Sequence, residues 1–341
     1  MMFKSGVFLL VLLSGGPLGR PHGAAAAGRP IHTYSIVARD AKTGEMGVAV
    51  QSHWFSVGSV VSWAEAGVGA VATQSLADPA YGPLGLELMR AGRSAPDALR
   101  SLLAGDEGRE VRQVAMIDAA GRVAAHTGGK CIQPAGHVVD AEGQFSVQAN
   151  LMANDRIWPA MAGAFREAQG DLADRMVAAL EAAQREGGDI RGKQSAALVV
   201  VSGNPTGRPW ADRKFDLRIE DHPDPVAEMK RLVRLQRAYL HMNAGDAAME
   251  KKDAETANRE YTSAETLAPE IVEIPFWRAV TLVNAGKLEE ALPIFKRVFE
   301  QEPVWAELIP RLVESGLLAA DPQAVAAIQA QASATTSRPR S

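Results

Sequence analysis

Alternation of apolar and polar residues after residue 32 predicts a β-hairpin. Residues Thr33–Arg39 alternate and are rich in β-forming side chains, residues 40–45 (DAKTGE) are typical of a turn, and Met46–Ser52 form the predicted returning strand. The same patterns predict further strands at residues 67–74, 111–117, 123–127, 145–149, 195–201 and 215–219. Apolar residues at helical spacing predict helices at 81–91, 94–104, 155–169 and 172–185, with Ser94 as the N-cap of the second.

The order of these elements is strands, two helices, strands, two helices, strands. Strands that come in separate blocks, with the helices segregated in pairs, favour a layered α+β sandwich. After residues 221–225 (DHPDP), which indicate a rigid linker, no strand pattern returns. At 341 residues the chain exceeds one comfortable core, and we therefore expect two domains.

The C-terminal part carries the period of the tetratricopeptide repeat, since Pro269 and Pro303 are separated by one length of that repeat. Counting back from each proline finds small and aromatic residues where such repeats use them: Gly245, Ala257, Tyr261 and Ala264 in the first, and Ala279, Ala291, Phe295 and Val298 in the second. We predict two repeats with a capping helix over residues 238–318, the alternative being an unrelated helical bundle. The Ser/Thr/Arg-rich residues 332–341 predict a disordered tail.

Residues 1–27 have the order of a secretory signal peptide. Lys4 precedes the apolar run of residues 7–13 (VFLLVLL), and Ala24–Ala27 offer a cleavage region. The run is shorter than the roughly 20 residues that span a bilayer, so no stable membrane span is expected. We predict an exported protein, periplasmic or extracellular. A disordered cytosolic leader is the alternative.

Charge and composition exclude several classes of partner. The net charge of −4 and the pI near 6.0, without a long basic run, disfavour nucleic acid. Cys131 is the only cysteine and therefore cannot form an intramolecular disulfide. The seven histidines show no metal-ligand spacing, and no phosphate-binding or dinucleotide motif is complete. Neither a metal nor a cofactor is predicted.

Thr33 is the residue with the clearest catalytic potential. If it were the first residue of the mature chain, its α-amino group would lie within reach of its own hydroxyl. An unperturbed α-amine titrates near pH 8, so one residue would then supply both nucleophile and base. The structural alternative is a threonine chosen only because it is a good β-former.

A resemblance favours the catalytic interpretation. The segments that carry it are residues 32–40 (HTYSIVARD), 47–58 (GVAVQSHWFSVG), 66–74 (AGVGAVATQ), 81–83 (YGP), 148–150 (QAN) and 188–196 (GDIRGKQSA). These segments resemble a bacterial family known as domain of unknown function 1028, which is grouped with the N-terminal nucleophile (Ntn) hydrolases. The likeness runs from about residue 32 to 235. It implies a four-layer αββα sandwich over residues 32–222, which the predicted linker and connecting helix at 223–237 follow. It also implies hydrolysis of an amide-type bond in an unknown small substrate.

The resemblance also assigns roles to six residues. Thr33 becomes the nucleophile, with Ser52 and His53 as charge or hydrogen-bond partners, Asn150 as oxyanion donor, and Asp189 and Ser195 as residues that orient the amine. Four of them have structural alternatives: Ser52 as a strand cap, His53 as a loop residue, and Asn150 and Asp189 as turn residues.

The implied mechanism requires a second cleavage of the chain. The predicted signal-peptide cleavage leaves residues 28–32 attached, so a second cut at the His32–Thr33 bond is needed to free the amine. His32 is not the small residue usually preferred beside such a bond. The alternative function is therefore a non-catalytic secreted binding or scaffold protein whose helical repeats dock a protein partner. Homo-oligomerisation is compatible with either function.

Overall fold

The structure is a computed structural model that describes residues 33–336, and its strands form two antiparallel sheets. The strands are β1 (Thr33–Arg39), β2 (Met46–Ser52), β3 (Ser62–Glu65), β4 (Gly69–Ser75), β5 (Arg112–Asp118), β6 (Val123–Thr127), β7 (Gly136–Asp140), β8 (Phe145–Ala149), β9 (Ser195–Val201) and β10 (Arg213–Ile219). The six-stranded sheet has the order β10-β9-β2-β1-β8-β7, and the four-stranded sheet has the order β3-β4-β5-β6. Strand β1 is therefore paired on both sides, by β2 and by β8.

Helices follow the sheets in pairs and then dominate the C-terminal region. They are α1 (Gly58–Val61), α2 (Tyr81–Arg90), α3 (Ala95–Gly105), α4 (Ile157–Glu167), α5 (Leu172–Arg185), α6 (Pro225–Glu250), α7 (Ala254–Leu267), α8 (Glu273–Asn284), α9 (Leu288–Gln301), α10 (Leu308–Glu314) and α11 (Pro322–Thr336). No helix of the described residues is long and apolar enough to cross a membrane. The predicted signal peptide at residues 1–27 lies outside the described residues.

Strand periodicity explains how the sheets are covered. In β1, Tyr34 and Ile36 face α4 and α5, whereas Val37 faces the four-stranded sheet. Successive side chains of a strand point to opposite faces, so a fully buried strand serves two cores at once. Helices α2 and α3 cover the far side of the four-stranded sheet, where Leu86 and Leu99 pack with strand residues. The predicted α+β class is confirmed, with two antiparallel sheets and a helical region behind them.

Most sequence-predicted elements are present. The strands predicted at 33–39, 46–52, 123–127, 145–149 and 195–201 and the helix at 172–185 have the predicted bounds. Ser94 caps α3, since its hydroxyl accepts a hydrogen bond from the Asp97 amide at 3.1 Å. Three short elements were not predicted: α1, the four-residue β3, and β7, whose sequence GHVVD is half-exposed and begins with glycine.

Helix α6 joins the two regions without a break. Its first half packs into the core beneath the six-stranded sheet through Val226, Met229 and Val233. Its second half contributes Ala238 and Met242 to a separate cluster around Tyr261. Salt bridges from α6 to the start of α5 support the first contact: Arg237 pairs with Asp171 at 2.7 Å and with Asp174 at 2.9 Å. The connection between the regions is a packed helix from Pro225 onward.

The C-terminal helices recur along the chain with the predicted period. Helices α7 and α9 begin one repeat length apart, at 254 and 288, and end with the same offset, at 267 and 301. A Cβ atom on Gly245 would lie 2.9 Å from the Tyr261 ring, so only glycine allows α6 and α7 to approach this closely. The equivalent aromatic, Phe295, is fully buried against Phe276 with ring centroids 5.8 Å apart.

The end of the helical region differs from the prediction. Residues 303–307 form a short 3₁₀ turn and α10 covers only Leu308–Glu314 of the capping helix predicted at 305–318. Helix α11 was not predicted. Its Ile328 is fully buried in the cluster around Phe299. The backbone of α11 runs to Thr336 and so includes the first residues of the predicted disordered tail, while 337–341 lie outside the described residues.

Replacing Met229 by alanine tests whether α6 belongs to the core of the front region. The side chain is fully buried, and truncating such a methionine lowers the free energy of unfolding by about 2–5 kcal/mol. The matched control is Arg231→Ala, which removes an exposed salt bridge to Glu228 on the same helix and should cost no more than about 0.5 kcal/mol. Urea unfolding followed by circular dichroism measures both values. Equal effects of the two changes would contradict the assignment of α6 to this core.

Candidate active site

Four of the six candidate residues form a row across one end of the six-stranded sheet. Ser195 of β9 lies directly opposite Ser52 of β2, which lies directly opposite Thr33 of β1. On the other side of Thr33, the Asn150 amide donates to the Thr33 carbonyl at 3.1 Å. All four residues are fully buried. Residues directly opposite in antiparallel strands point to the same face, so the three hydroxyls lie side by side.

This row faces the four-stranded sheet. The same periodicity that directs Val37 toward the space between the sheets directs Thr33 there, four residues earlier in β1. Asn150 points the same way, because its Nδ2 donates to Gln113 Oε1 of the opposite sheet at 2.9 Å. The sequence-predicted nucleophile thus lies between two sheets, at the first position of a central strand.

Behind the row, buried amides and hydroxyls from both sheets bond to one another. Gln74 Nε2 donates to the Thr33 carbonyl at 3.2 Å and to Gln113 Oε1 at 2.7 Å. The Ser35 hydroxyl donates to Gln74 Oε1 and accepts from Gln148 Nε2, both at 2.6 Å. We call Ser35, Gln74, Gln113, Gln148 and Asn150 the amide network. Each member is fully buried, so its polar atoms depend on one another.

The amide network fixes the surroundings of Thr33. Gln113 Oε1 accepts from both Gln74 and Asn150, and Gln113 Nε2 donates to the Ala149 carbonyl at 2.9 Å. Buried hydrogen bonds of this kind are costly to leave unmade, which holds each amide in one orientation. The network therefore joins the two sheets at the end where the row lies.

Ser195 anchors a loop. Its hydroxyl donates to the Trp54 carbonyl and accepts from the Val57 amide at 3.1 Å. These contacts hold the segment between β2 and α1 against the start of β9. These contacts give Ser195 a structural role at the end of the row, in addition to the role in orienting the amine that the resemblance implies.

Asp189 and His53 lie next to the row rather than in it. The Asp189 carboxylate accepts from the His53 backbone amide at 3.2 Å and from Arg191 Nη2 at 2.7 Å. Tyr34 lies on the opposite face of the sheet. Burial, followed by the charges of Asp189 and Asp224, raises the pKa of Tyr34 well above its usual range. Tyr34 is therefore neutral near pH 7, and Asp189 helps to fix the end of β2.

Two cavities at the edges of the sheets are lined by residues outside the row. His53 and His222 line a shallow cavity of about 410 Å³ together with Lys193. The His53 ring lies against the chain there, with Nδ1 3.4 Å from the Lys193 carbonyl. A larger cleft of about 680 Å³ lies at the other edge of the sheets, lined by residues such as Trp63 and Arg218. Thr33 lines neither cavity. Among residues 33–336, no three His, Cys, Asp or Glu side chains are grouped to hold a metal ion.

The glutamines of the amide network are not among the site residues predicted from the sequence. Gln74 near the end of β4 and Gln113 near the start of β5 share their face of the strand with apolar residues, whereas Gln148 near the end of β8 shares its face with Ser146. An amide inside a fully buried strand must find a hydrogen-bond partner. That requirement was the available signal, although it does not identify the partner.

Residues 33–229 match the model of a family of unknown function, DUF1028. The chain belongs to this family. A solved structure of protein SPO2555 from Silicibacter pomeroyi, also assigned to DUF1028, is similar with a TM-score of 0.53 and 29% sequence identity, over 60% of this chain and 85% of that chain. Comparison with curated protein sequences gives no match. The resemblance predicted from the sequence is confirmed, and the family's function is unknown.

Replacing Gln113 by leucine tests the amide network. The change removes the acceptor of the Gln74 and Asn150 amides and should lower the free energy of unfolding by about 1–3 kcal/mol for each buried amide left without its partner. Gln169→Leu is the matched control, because Gln169 is exposed and the same change there should have little effect. Urea unfolding measures the two variants. An unchanged stability of Gln113→Leu would show that the network does not hold the sheets.

Proposed function

We propose that this protein is an exported Ntn amidohydrolase, with Thr33 as the nucleophile that cleaves an amide-type C–N bond of a small substrate. The observation that carries the proposal is the position of Thr33. It lies in a strand paired on both sides, in a row with Ser52, Ser195 and Asn150, and it faces a second sheet. A nucleophile supplied by a chain terminus needs such a fixed position, because its base is part of the same residue.

The layers support the same assignment. Two antiparallel sheets lie face to face, with α4 and α5 outside one and α2 and α3 outside the other. This is the order expected of the αββα sandwich of Ntn hydrolases. Membership in a family of unknown function is compatible with this activity and names no substrate.

The proposed reaction begins with a cut at the His32–Thr33 bond; His32 lies outside the described residues. The α-amino group released on Thr33 then accepts the proton of its own hydroxyl as Oγ1 attacks the substrate carbonyl. The tetrahedral intermediate collapses to an acyl ester on Thr33, and the leaving amine takes the proton from the α-ammonium. Water, deprotonated by the same amine, then hydrolyses the ester and restores Thr33.

Asn150 is the proposed oxyanion donor. Its backbone amide donates to the Thr33 carbonyl, and its side chain is held by Gln113. A donor that is fixed before the reaction stabilises developing negative charge without reorganising, and loss of one such donor costs about 10²–10³ in rate in well-studied hydrolases. Ser52 is the hydroxyl neighbour of Thr33 and the proposed partner of its amine.

We further propose that the helical region is a pair of tetratricopeptide-like repeats. The offset of α7 and α9 by one repeat length and the close approach at Gly245 support it. Because α6 is packed into the front region, the repeats would present any docked protein partner in a fixed direction. Export to the periplasm or beyond is proposed from residues 1–27 alone.

Intact-mass and N-terminal sequencing of the protein purified from its secreting host test the central claim. Thr33 is expected as the first residue. Incubation with an acylating β-lactone should then add the mass of one acyl group, located on Thr33 by peptide mapping. Thr33→Val keeps the shape of the side chain and should abolish the labelling, and Thr33→Ser keeps the hydroxyl and should retain it.

Two outcomes would contradict the proposal. One is a mature chain that keeps His32 and still becomes labelled at the same rate. The other is labelling of Thr33→Val to the extent of the unchanged protein. A folded, stable chain that keeps His32 and takes no label would instead favour the binding or scaffold function. Circular dichroism confirms that each variant is folded.

A further inference from the structure

A chain of hydrogen bonds leads from Asn150 to the protein surface. Asn150 Nδ2 donates to Gln113 Oε1 at 2.9 Å, and Gln113 Nε2 donates to Thr127 Oγ1 at 2.9 Å. Thr127 Oγ1 lies 2.8 Å from Nδ1 of His137. Asn150 and Gln113 are fully buried, whereas His137 is exposed. Three hydrogen bonds thus connect a titratable surface ring to the amide beside Thr33.

The chain crosses between the sheets twice. Asn150 follows β8 of the six-stranded sheet, Gln113 and Thr127 belong to β5 and β6 of the four-stranded sheet, and His137 belongs to β7 of the six-stranded sheet. Gln113 Nε2 also lies 3.2 Å from the Gly136 carbonyl, next to His137. With the Ala149 carbonyl at 2.9 Å, the two hydrogens of Gln113 Nε2 are shared among three acceptors, and the Thr127 hydroxyl is one of them.

The neutral and protonated forms of His137 make different hydrogen bonds with Thr127. Gln113 Nε2 is a donor, so Thr127 Oγ1 accepts from it and keeps its own hydrogen for another acceptor. When Nδ1 of the neutral ring carries the lone pair and the ring hydrogen is on Nε2, the Thr127 hydroxyl donates to Nδ1. A protonated His137 would present an N–H at Nδ1. The Thr127 hydroxyl would then have to turn away and accept from both sides.

We propose that His137 is a positioning residue for Asn150: its neutral ring orients the Thr127 hydroxyl, which orients Gln113 and through it the Asn150 amide. The connection itself does not depend on catalysis. Its consequence for the rate of acylation rests on the proposed function, in which Asn150 stabilises the oxyanion. Protonation of His137 then weakens the alignment of Asn150 without any group entering or leaving the site.

The surroundings of His137 favour its neutral ring. Burial, followed by the nearby His126 of β6, lowers the pKa of His137 below its usual range. His126 itself is bonded through Nε2 to the Arg109 carbonyl at 2.8 Å. Asp140 of β7 is paired with Arg166 of α4 at 2.8 Å. Glu110, in the turn before β5, bonds through its carboxylate to the Gly129 amide at 3.2 Å. Burial and His126 both disfavour the protonated ring, so His137 takes up its proton at a lower pH than an ordinary histidine.

Nuclear magnetic resonance of the full chain tests the connection directly. A pH titration from 8 to about 4.5 follows the His137 ring and the side-chain amide of Asn150, with assignments made from single substitutions. The Asn150 amide resonances are expected to move with the same midpoint as the His137 ring. In Thr127→Val, which keeps the side-chain shape, the ring should still titrate while the Asn150 amide no longer follows it. Thr127→Ser should restore the response, and His126→Gln should retain it.

The result that would overturn the proposal is an Asn150 amide that ignores the His137 titration, or one that still follows it in Thr127→Val. Acylation of Thr33 is measured separately over the same pH range. If Thr33 takes no label at any pH but the Asn150 amide follows His137, the proposed hydrolase activity fails and the connection stands. If Thr33 is labelled but the amide does not respond, the connection fails and the hydrolase stands.

Discussion

The hydrogen bonds of Gln113 are the interaction on which the site depends. The space between the two sheets is filled by aliphatic side chains along most of its length, and their hydrophobic contacts are non-directional. At the Thr33 end, the side chains between the sheets are amides and hydroxyls. Their directional hydrogen bonds fix how the two sheets align with each other. Gln113 accepts from both sheets' amides and donates back across the gap. The polar end of the interior thus supplies alignment, and the apolar remainder supplies most of the burial.

Much of the fold could be predicted from the sequence, because period-two and helical patterns depend only on which face of an element is buried. The hairpin β1–β2, helix α5 and strand β9 belong to this class. The edge strand β7 has no strong pattern, since half of its residues are exposed. Within the site, Thr33, Ser52 and Ser195 were identified one at a time, and the register that aligns them comes from pairings between strands distant in sequence. The glutamines were missed because their partners lie in other strands.

The long helix α6 packs into both regions and connects them rigidly. A flexible linker would let the helical region sample many directions, at the cost of ordering it whenever a partner binds. Here Met229 and Val233 are buried in the front region, while Met242, farther along the same helix, belongs to the second cluster. The family match itself ends at residue 229, inside this helix. Whatever the helical region contacts is consequently held at a set distance from the sheets.

The place of Thr33 in β1 has a consequence for maturation. Chain ends usually fray, because a terminal residue has few neighbours to hold it. A terminus created before Thr33 would begin inside a sheet, bordered by Ser52 on one side and bonded to Asn150 on the other. The new end would thus be immobilised from the moment it is formed. If the cut proposed at the His32–Thr33 bond occurs, it is a local change, because the neighbouring strands already hold Thr33 in its place in β1.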